Sequence, residues 1–307
     1  MKKDLLSLSS LTKCEMDSIF KKASELKRKQ RESIVWKPLA EKTLALIFEK
    51  PSTRTRLSFE VAMYQLGGHS LFLSPREMQL DRGESIADTA RVLSRYVDGI
   101  VIRTFSQNVA EELAEFASIP VINGLTDLLH PCQILSDIFT IIKKKGSYQD
   151  IKVTYIGDGN NVANSWVEAA SRLDFYLSLA CPTGYLPDEN ILRVSKMESP
   201  YPIEVMDDPF LAVKGADIIT TDSWISMGKE DEYEKRMVIF KDYQVNEKLV
   251  AEAKEDVLVM HCLPAHRGKE ITNHIIDGNH SIVFDQAENR LHVQKAILEI
   301  WLGKDTY

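Results

Sequence analysis

Short unbroken apolar runs alternate with amphipathic stretches along nearly the whole chain, and this limits the fold more than any other feature. Such a run is what a strand buried on both faces looks like, and strands of that kind belong to parallel sheets covered by helices. Thr43–Phe48 is the first clear case, and residues 71–73, 99–105 (GIVIRTF) and 119–125 (IPVINGL) follow. A second series comprises 151–157 (IKVTYIG), 176–182 (YLSLACP), 203–207 (IEVMD), 216–222 (ADIITTD), 256–262 (DVLVMHC) and 281–285 (SIVFD). Between the runs the period changes. Residues 12–30 read as a helix, with a capping-box pattern at Thr12 and Glu15 and one stripe of Met16, Ile19, Phe20, Ala23 and Leu26. Phe59, Ala62, Met63 and Leu66 keep helical spacing until Gly67-Gly68 ends the run. Helices are also predicted over 84–96, 108–117, 131–146 and 288–302. The stretch 146–150 (GSYQD) is polar and aperiodic and marks a domain boundary. The expected fold is α/β, with two domains, each a parallel sheet flanked by helices, which suits 307 residues.

Composition narrows the function classes. The net charge of −7 argues against general nucleic-acid binding, so any anion site must be a local positive patch. No apolar run approaches a membrane span, and the start, MKKDLLSLSS, lacks the apolar region of a secretory signal. Cys14, Cys132, Cys181 and Cys262 are far apart and show no metal spacing, which reads as reduced thiols of a cytoplasmic protein.

In parallel α/β folds ligands sit at the carboxyl ends of strands. Those ends are rich in polar groups here. After Phe48 come Ser52, Thr53, Arg54, Thr55 and Arg56, at the expected start of a helix. Free N–H groups, hydroxyls and a guanidinium fork at a helix N-terminus make a phosphate site. An ordinary N-cap with solvated arginines is the competing reading. Arg54 and Arg56 lie about 200° apart around a helix, so Arg54 is expected to face the ligand and Arg56 to make a structural ion pair. No P-loop pattern is present. Arg103 closes the strand GIVIR, and His130-Pro131-Cys132-Gln133 opens a helix. His130 could donate to a substrate oxygen and Gln133 could read an amide, or His130 could merely cap. Gly157 and Gly159 suggest a dinucleotide turn. Val162 holds the third glycine position and no acidic residue ends the next strand, which disfavours nicotinamide binding. Asn160 and Asn161 could bind a small polar ligand or shape the turn. Asp222 ends one strand, as an ammonium partner or an N-cap, and Cys262 ends another, as a nucleophile, proton carrier or filler. Arg290 is expected at the start of the last helix, where a cation opposes the dipole and hints at an anionic partner.

Together these segments resemble the carbamoyltransferases over essentially the whole chain. Ser52-Thr53-Arg54-Thr55-Arg56 is similar to the family's carbamoyl-phosphate loop, and HPCQ (130–133) to its second signature. DSWISMG (222–228) and HCLPAHRG (261–268) resemble the ornithine branch rather than the aspartate branch, as does the stretch around Gln79.

The resemblance implies transfer of a carbamoyl group from carbamoyl phosphate to L-ornithine, giving L-citrulline and phosphate in arginine metabolism. It implies a carbamoyl-phosphate-binding domain over 1–145 and an ornithine-binding domain over 146–287. It also implies a C-terminal helix over 288–307 that packs back on the N-terminal domain. Ser52, Thr53, Arg54 and Thr55 would hold phosphate, with Gln79 supplied by a neighbouring subunit. Arg103, His130 and Thr55 would polarise the carbamoyl oxygen. Gln133 and the main chain at Cys262 and Leu263 would hold the carbamoyl nitrogen, and Arg290 would complete the cage. Asn161, Asp222, Ser226 and Met227 would bind the amino-acid end of ornithine, with Cys262 near the attacking nitrogen. The implied assembly is a homotrimer with shared active sites, needing no metal and no organic cofactor. Two domains joined near residue 146 suit closure on binding. Competing readings are another acceptor amine such as putrescine, and a sensor that has lost turnover.

Overall fold

The computed structural model describes residues 3–74, 83–225 and 230–303. They form two compact units. One contains the described residues up to Phe139 together with those from Glu288 on, and the other is Thr140–Ala287.

The first unit runs α1 (Lys13–Arg31), β1 (Thr43–Phe48), α2 (Thr53–Gln65), β2 (His69–Leu73), α3 (Ile86–Leu93), β3 (Gly99–Arg103), α4 (Gln107–Phe116), β4 (Val121–Leu125) and the start of α5 (Pro131–Lys145). Its strands order β2-β1-β3-β4, every pair parallel. From β1 the chain steps to β2 on one side and returns to β3 on the other. The switch point therefore lies at the carboxyl ends of β1 and β3, where α/β folds bind ligands. Register sharpens this, because Phe48 pairs with Arg103 and the two chains leave the sheet side by side. All residues of β3 are buried. Ala45, Ile47, Ile100 and Ile102 pack under Ala90, Ala110 and Leu113 of the covering helices.

The second unit continues with β5 (Lys152–Ile156), α6 (Asn161–Ala170), β6 (Tyr176–Ala180), α7 (Glu189–Glu198), β7 (Ile203–Met206), α8 (Pro209–Ala212), β8 (Ile218–Thr221), α9 (Tyr233–Ile239), α10 (Glu247–Val250), β9 (Leu258–His261) and α11 (Asn273–Ile276). Its parallel sheet orders β7-β6-β5-β8-β9, so the switch point lies between β5 and β8. The last element is α12 (Val283–Leu302).

One expected strand is absent. The run 281–285 reads as a buried strand, yet it meets the sheet through no more than an isolated bridge of Ser281 to Val259, with the Ile282 N–H donating to the Val259 carbonyl at 3.0 Å. The Gln286 N–H already donates to the Ile282 carbonyl at 2.9 Å, and α12 begins at Val283. A few apolar residues fit a buried helical turn as well as a buried strand.

The C-terminal helix docks on the first unit through α1 and α2. Lys27 Nζ donates to Asn289 Oδ1 at 2.7 Å, Lys22 pairs with Glu299 at 3.1 Å, and Lys295 Nζ reaches Gln65 Oε1 at 2.9 Å. These contacts fix α12 along α1 and at the end of α2.

In the second unit a buried arginine braces the carboxyl edge. Arg236, on α9, donates from Nη1 to Asp158 Oδ2 and to the Trp224 carbonyl, both at 2.8 Å, and from Nε to Glu232 Oε2 at 2.7 Å. Its guanidinium lies 4.8 Å from the Tyr185 ring centroid. Arg236→Met is expected to destabilise the protein by about 3–5 kcal/mol, because Asp158 stays buried without its cation. Urea unfolding checks this, and adding Asp158→Asn to that variant should recover part of the loss.

Candidate active site

Ser52 has extended backbone (φ −159°, ψ 112°), and its Oγ accepts the Thr55 N–H at 3.2 Å. It therefore caps α2 at the end of β1, where the helix dipole favours an anion. Thr53, Arg54 and Thr55 make the first turn. Arg56 turns aside, donates to Glu60 Oε1 at 2.9 Å and lies over the Phe72 ring at 3.7 Å, as its spacing from Arg54 predicts. The Nε of Arg54 is buried with no hydrogen-bond partner.

Thr55 is the meeting point. Its Oγ1 accepts from Arg290 Nη2 at 2.8 Å, and Arg103 Nη1 lies at 3.5 Å. Arg103 arrives as the last residue of β3 and Arg290 arrives from α12. The dipole argument for Arg290 does not hold, because α12 starts at Val283 and Arg290 stands well inside it. Its place is set by Thr55 instead. His130 precedes Pro131 at the start of α5, and its carbonyl accepts the Gln133 N–H at 3.1 Å. Gln133 Nε2 donates to Asp137 Oδ1 at 2.8 Å.

The electrostatics show how close these groups are. Burial, then Arg290 and Arg54, bring the Arg103 guanidinium down to about 10. Burial first, then Arg290, Arg103 and Arg54, hold the His130 imidazole well below its usual value, so it is a neutral donor at physiological pH. Three guanidinium groups gathered at a helix N-terminus attract a compact, multiply charged anion, and charge-assisted bonds to phosphate oxygens would satisfy their donors.

Depressed histidines also set a pH dependence. Burial holds His292 at about 4, against the opposing effect of its hydrogen bond to the Glu288 carboxylate. An unfolded chain takes up these protons below about pH 6.5 while the folded one does not, so stability is complete above that value and falls as the pH drops toward 4. His292 alone should cost about 2 kcal/mol by pH 5. Urea midpoints at pH 7 and pH 5 measure this, and His292→Asn should shrink the difference by about that amount.

The second unit contributes a separate group of residues. Thr221 pairs with His261 in register, so the next residues, Asp222 and Cys262, leave the sheet as neighbours. The Cys262 thiol donates to Asp222 Oδ1 at 2.8 Å. The Ser223 N–H donates to the same oxygen at 2.7 Å, and Asn160 Nδ2 donates to Oδ2 at 2.8 Å. Asn160 is also the N-cap of α6, accepting from the Val162 and Ala163 N–H groups. The carboxylate is thus held by three donors from three chain segments. The two glycines of the turn before it have a backbone purpose. Gly157 has φ of 132°, and a Cβ on Gly159 would lie 2.2 Å from the Pro187 nitrogen.

Leu263, at φ 58°, donates its N–H to His261 Nδ1 at 2.8 Å. Nδ1 is therefore the unprotonated nitrogen, and Nε2–H faces Glu270 at 3.1 Å. This leaves the Leu263 carbonyl as the main-chain group this residue can offer a ligand. Asp222, His261 and Cys262 have ligand atoms within 4.8 Å of one another. Both His261 nitrogens are engaged, so a metal ion could bind all three only by breaking one of those bonds.

The structure brings together Thr55, Arg103 and Arg290 by contact and Arg54 and His130 by charge. It also pairs Asp222 with Cys262. Asn161 is the first residue of α6, and its carbonyl accepts from Ser165 Oγ at 2.8 Å. Gln79, Ser226 and Met227 lie outside the described residues. Sequence reasoning left the role of Asn160 open and missed the His261–Glu270 pair and Asp137. The spacing of Gln133 and Asp137, one helical turn apart in HPCQILSD, was the available signal for the last.

Comparison with known proteins agrees with this geometry. Residues 3–143 match the family model for the aspartate/ornithine carbamoyltransferase carbamoyl-P binding domain, and 149–301 match the model for the Asp/Orn binding domain. An ornithine carbamoyltransferase of Syntrophus aciditrophicus is 59% identical over 300 residues, covering 98% of this chain and 99% of that protein. One from Desulfotalea psychrophila is 56% identical over 299 residues, covering 97% and 99%. The solved ornithine carbamoyltransferase of Pyrococcus furiosus superposes with a TM-score of 0.95 at 51% identity, covering 98% of this chain and 97% of that one. The chain belongs to the aspartate/ornithine carbamoyltransferase family.

Proposed function

We infer that this chain is a carbamoyltransferase that moves the carbamoyl group of carbamoyl phosphate to the δ-amine of L-ornithine, giving L-citrulline and phosphate. The observation that carries the reading is the Thr55 hydroxyl at the capped start of α2, met by Arg290 and approached by Arg103. The high identity to ornithine carbamoyltransferases supports the choice of acceptor.

The chemistry assigns roles to the residues. Ser52, Thr53, Arg54 and Thr55 hold the phosphate, and Arg290 spans phosphate and carbonyl. Attack makes the carbamoyl carbon tetrahedral and puts charge on its oxygen, which Arg103, neutral His130 and Thr55 stabilise as donors. Gln133 and the main chain at Cys262 and Leu263 accept from the carbamoyl nitrogen. Asp222 takes the α-ammonium group of ornithine, alongside Asn161, Ser226 and Met227. The attacking amine must be neutral. Its pKa of about 10.4 leaves about one molecule in a thousand as free base near pH 7, a cost of roughly 4 kcal/mol. Cys262, hydrogen-bonded to Asp222, is the protein group proposed near that nitrogen.

Further parts of the proposal are a homotrimer in which Gln79 serves a neighbouring site, a place in arginine metabolism, and a cytoplasmic location. Leu57, Val61 and Tyr64 form an exposed apolar stripe on α2 at i, i+4, i+7 spacing, which supports a subunit contact. Light scattering should then give three times the 34.9 kDa chain mass. None of the four cysteines forms a disulfide, which suits a reducing compartment. Among the described residues no helix is long and apolar enough to cross a membrane.

A colorimetric citrulline assay tests the function directly. Carbamoyl phosphate with a panel of amines should give product with L-ornithine and little with putrescine or N-acetylornithine. Norvaline, which lacks the attacking nitrogen, should compete with ornithine. Preference for another amine would replace the acceptor assignment.

A further inference from the structure

Gln133 and Asp137 lie one turn apart at the start of α5, and they are 1% and 0% exposed. Gln133 Nε2 donates to Asp137 Oδ1. The other end of the same amide, Oε1, is buried and has no hydrogen-bond partner in the protein. A buried carbonyl oxygen without a donor costs about 1–3 kcal/mol. An amide can usually relieve such a cost by turning over, since its oxygen and nitrogen are nearly equal in size. Here the turn would set Oε1 against a carboxylate oxygen, acceptor against acceptor. The neighbour thus holds the amide one way round and keeps a bare acceptor ready beside His130, whose carbonyl is bonded to the Gln133 N–H.

We propose that Asp137 is a positioning residue that fixes Gln133 as an obligate acceptor, and so selects an acyl phosphate whose carbonyl carbon bears –NH2 over one that bears a methyl group. The inference rests on the carbamoyl-transfer reading and deepens it. Carbamoyl and acetyl phosphate are close in size and charge, and they differ at the atom that would meet Gln133 Oε1. The carbamoyl nitrogen brings an N–H and fills the empty acceptor. The acetyl methyl leaves it unsatisfied, and a site built around such a bond discriminates strongly against ligands that lack it. A reversed amide would aim N–H at N–H and lose the selection.

The test measures binding of carbamoyl phosphate and of acetyl phosphate without ornithine, by thermal-shift titration of the full chain. The parent protein should prefer carbamoyl phosphate. Asp137→Asn places a group there that both donates and accepts, so the amide is released. The preference should fall about tenfold, through weaker carbamoyl-phosphate binding, with acetyl phosphate changed less than about twofold. In the double variant Gln133→Glu/Asp137→Asn the carboxylate and the amide trade places. The introduced amide donates to the introduced carboxylate, an acceptor again faces the ligand, and the preference should return to within about threefold of the parent. Equal weakening of both ligands by Asp137→Asn, or no recovery in the double variant, overturns the proposal. Where the single variant does not fold, the double variant, which keeps the buried amide–carboxyl pair, decides alone by the same limit. A parent that binds both ligands without preference sinks this inference only. A parent that binds neither sinks the carbamoyl reading and this inference with it.

Discussion

Arg103→Met is expected to lower turnover by about two to three orders of magnitude while leaving the ligand-free protein more stable than the parent. The loss follows from removing one proposed donor to the developing oxyanion, and such a loss typically costs about 3–4 kcal/mol. The gain follows from the state of the empty site. Arg103 is buried beside Arg290 and Arg54, and its guanidinium is brought well down, to about 10. Keeping that charge in place costs the folded protein on the order of 1–3 kcal/mol, which an apolar side chain of similar length does not incur. Calorimetry should show a higher melting temperature for the variant in ligand-free buffer. The ranking should reverse in saturating phosphate, which the parent binds better. A variant with parental turnover, or a lower melting temperature at unchanged phosphate affinity, would remove Arg103 from the site.

Asp222→Ala should separate the two substrates. The carboxylate receives the Cys262 thiol, Asn160 Nδ2 and the Ser223 N–H, so its removal takes away both the proposed ammonium partner and the anchor of the surrounding groups. The expected result is a fall of about a thousandfold in kcat/KM for ornithine, with KM for carbamoyl phosphate within about twofold. Norvaline binding should be lost as well. Cys262→Ser should act in the same direction but more weakly, by about tenfold, because a hydroxyl can still donate to Asp222. Steady-state kinetics with each substrate varied in turn would contradict both assignments if the carbamoyl-phosphate KM rose instead.

Much of the architecture was legible because parallel strands buried on both faces leave unmistakable apolar runs. β1, β3 and β5 fell where those runs lay, and the capping pattern at Thr12 located the start of α1. The run 281–285 misled because a few apolar residues carry no usable period, and the residues C-terminal to them decide the state. Site residues at strand ends could be nominated from sequence, since strand ends are where such folds bind ligands. Their partnerships could not. That Thr55 meets Arg290, 235 positions away, depends on where α12 docks, and no local pattern encodes this. Asn160 and Asn161 could not be told apart by chemistry. The structure separates them, with Asn160 capping α6 and bracing Asp222. Asp137 was visible but silent, because a buried acid in a helix has meaning only once its neighbour's free end is seen.

The first unit is assembled from both ends of the chain, and this has a consequence for how the protein comes off the ribosome. Residues up to Phe139 emerge early, yet Arg290 and the helix that carries it come after the whole of Thr140–Ala287. At ordinary translation speeds this is a delay of roughly ten to thirty seconds. Throughout it the early segment exposes the apolar surface that α12 will later cover, and its charged pocket lacks one wall. A nascent chain stalled before residue 288 would therefore need shelter from aggregation, and its proposed phosphate site would lack the Arg290 guanidinium however well its first sheet had formed.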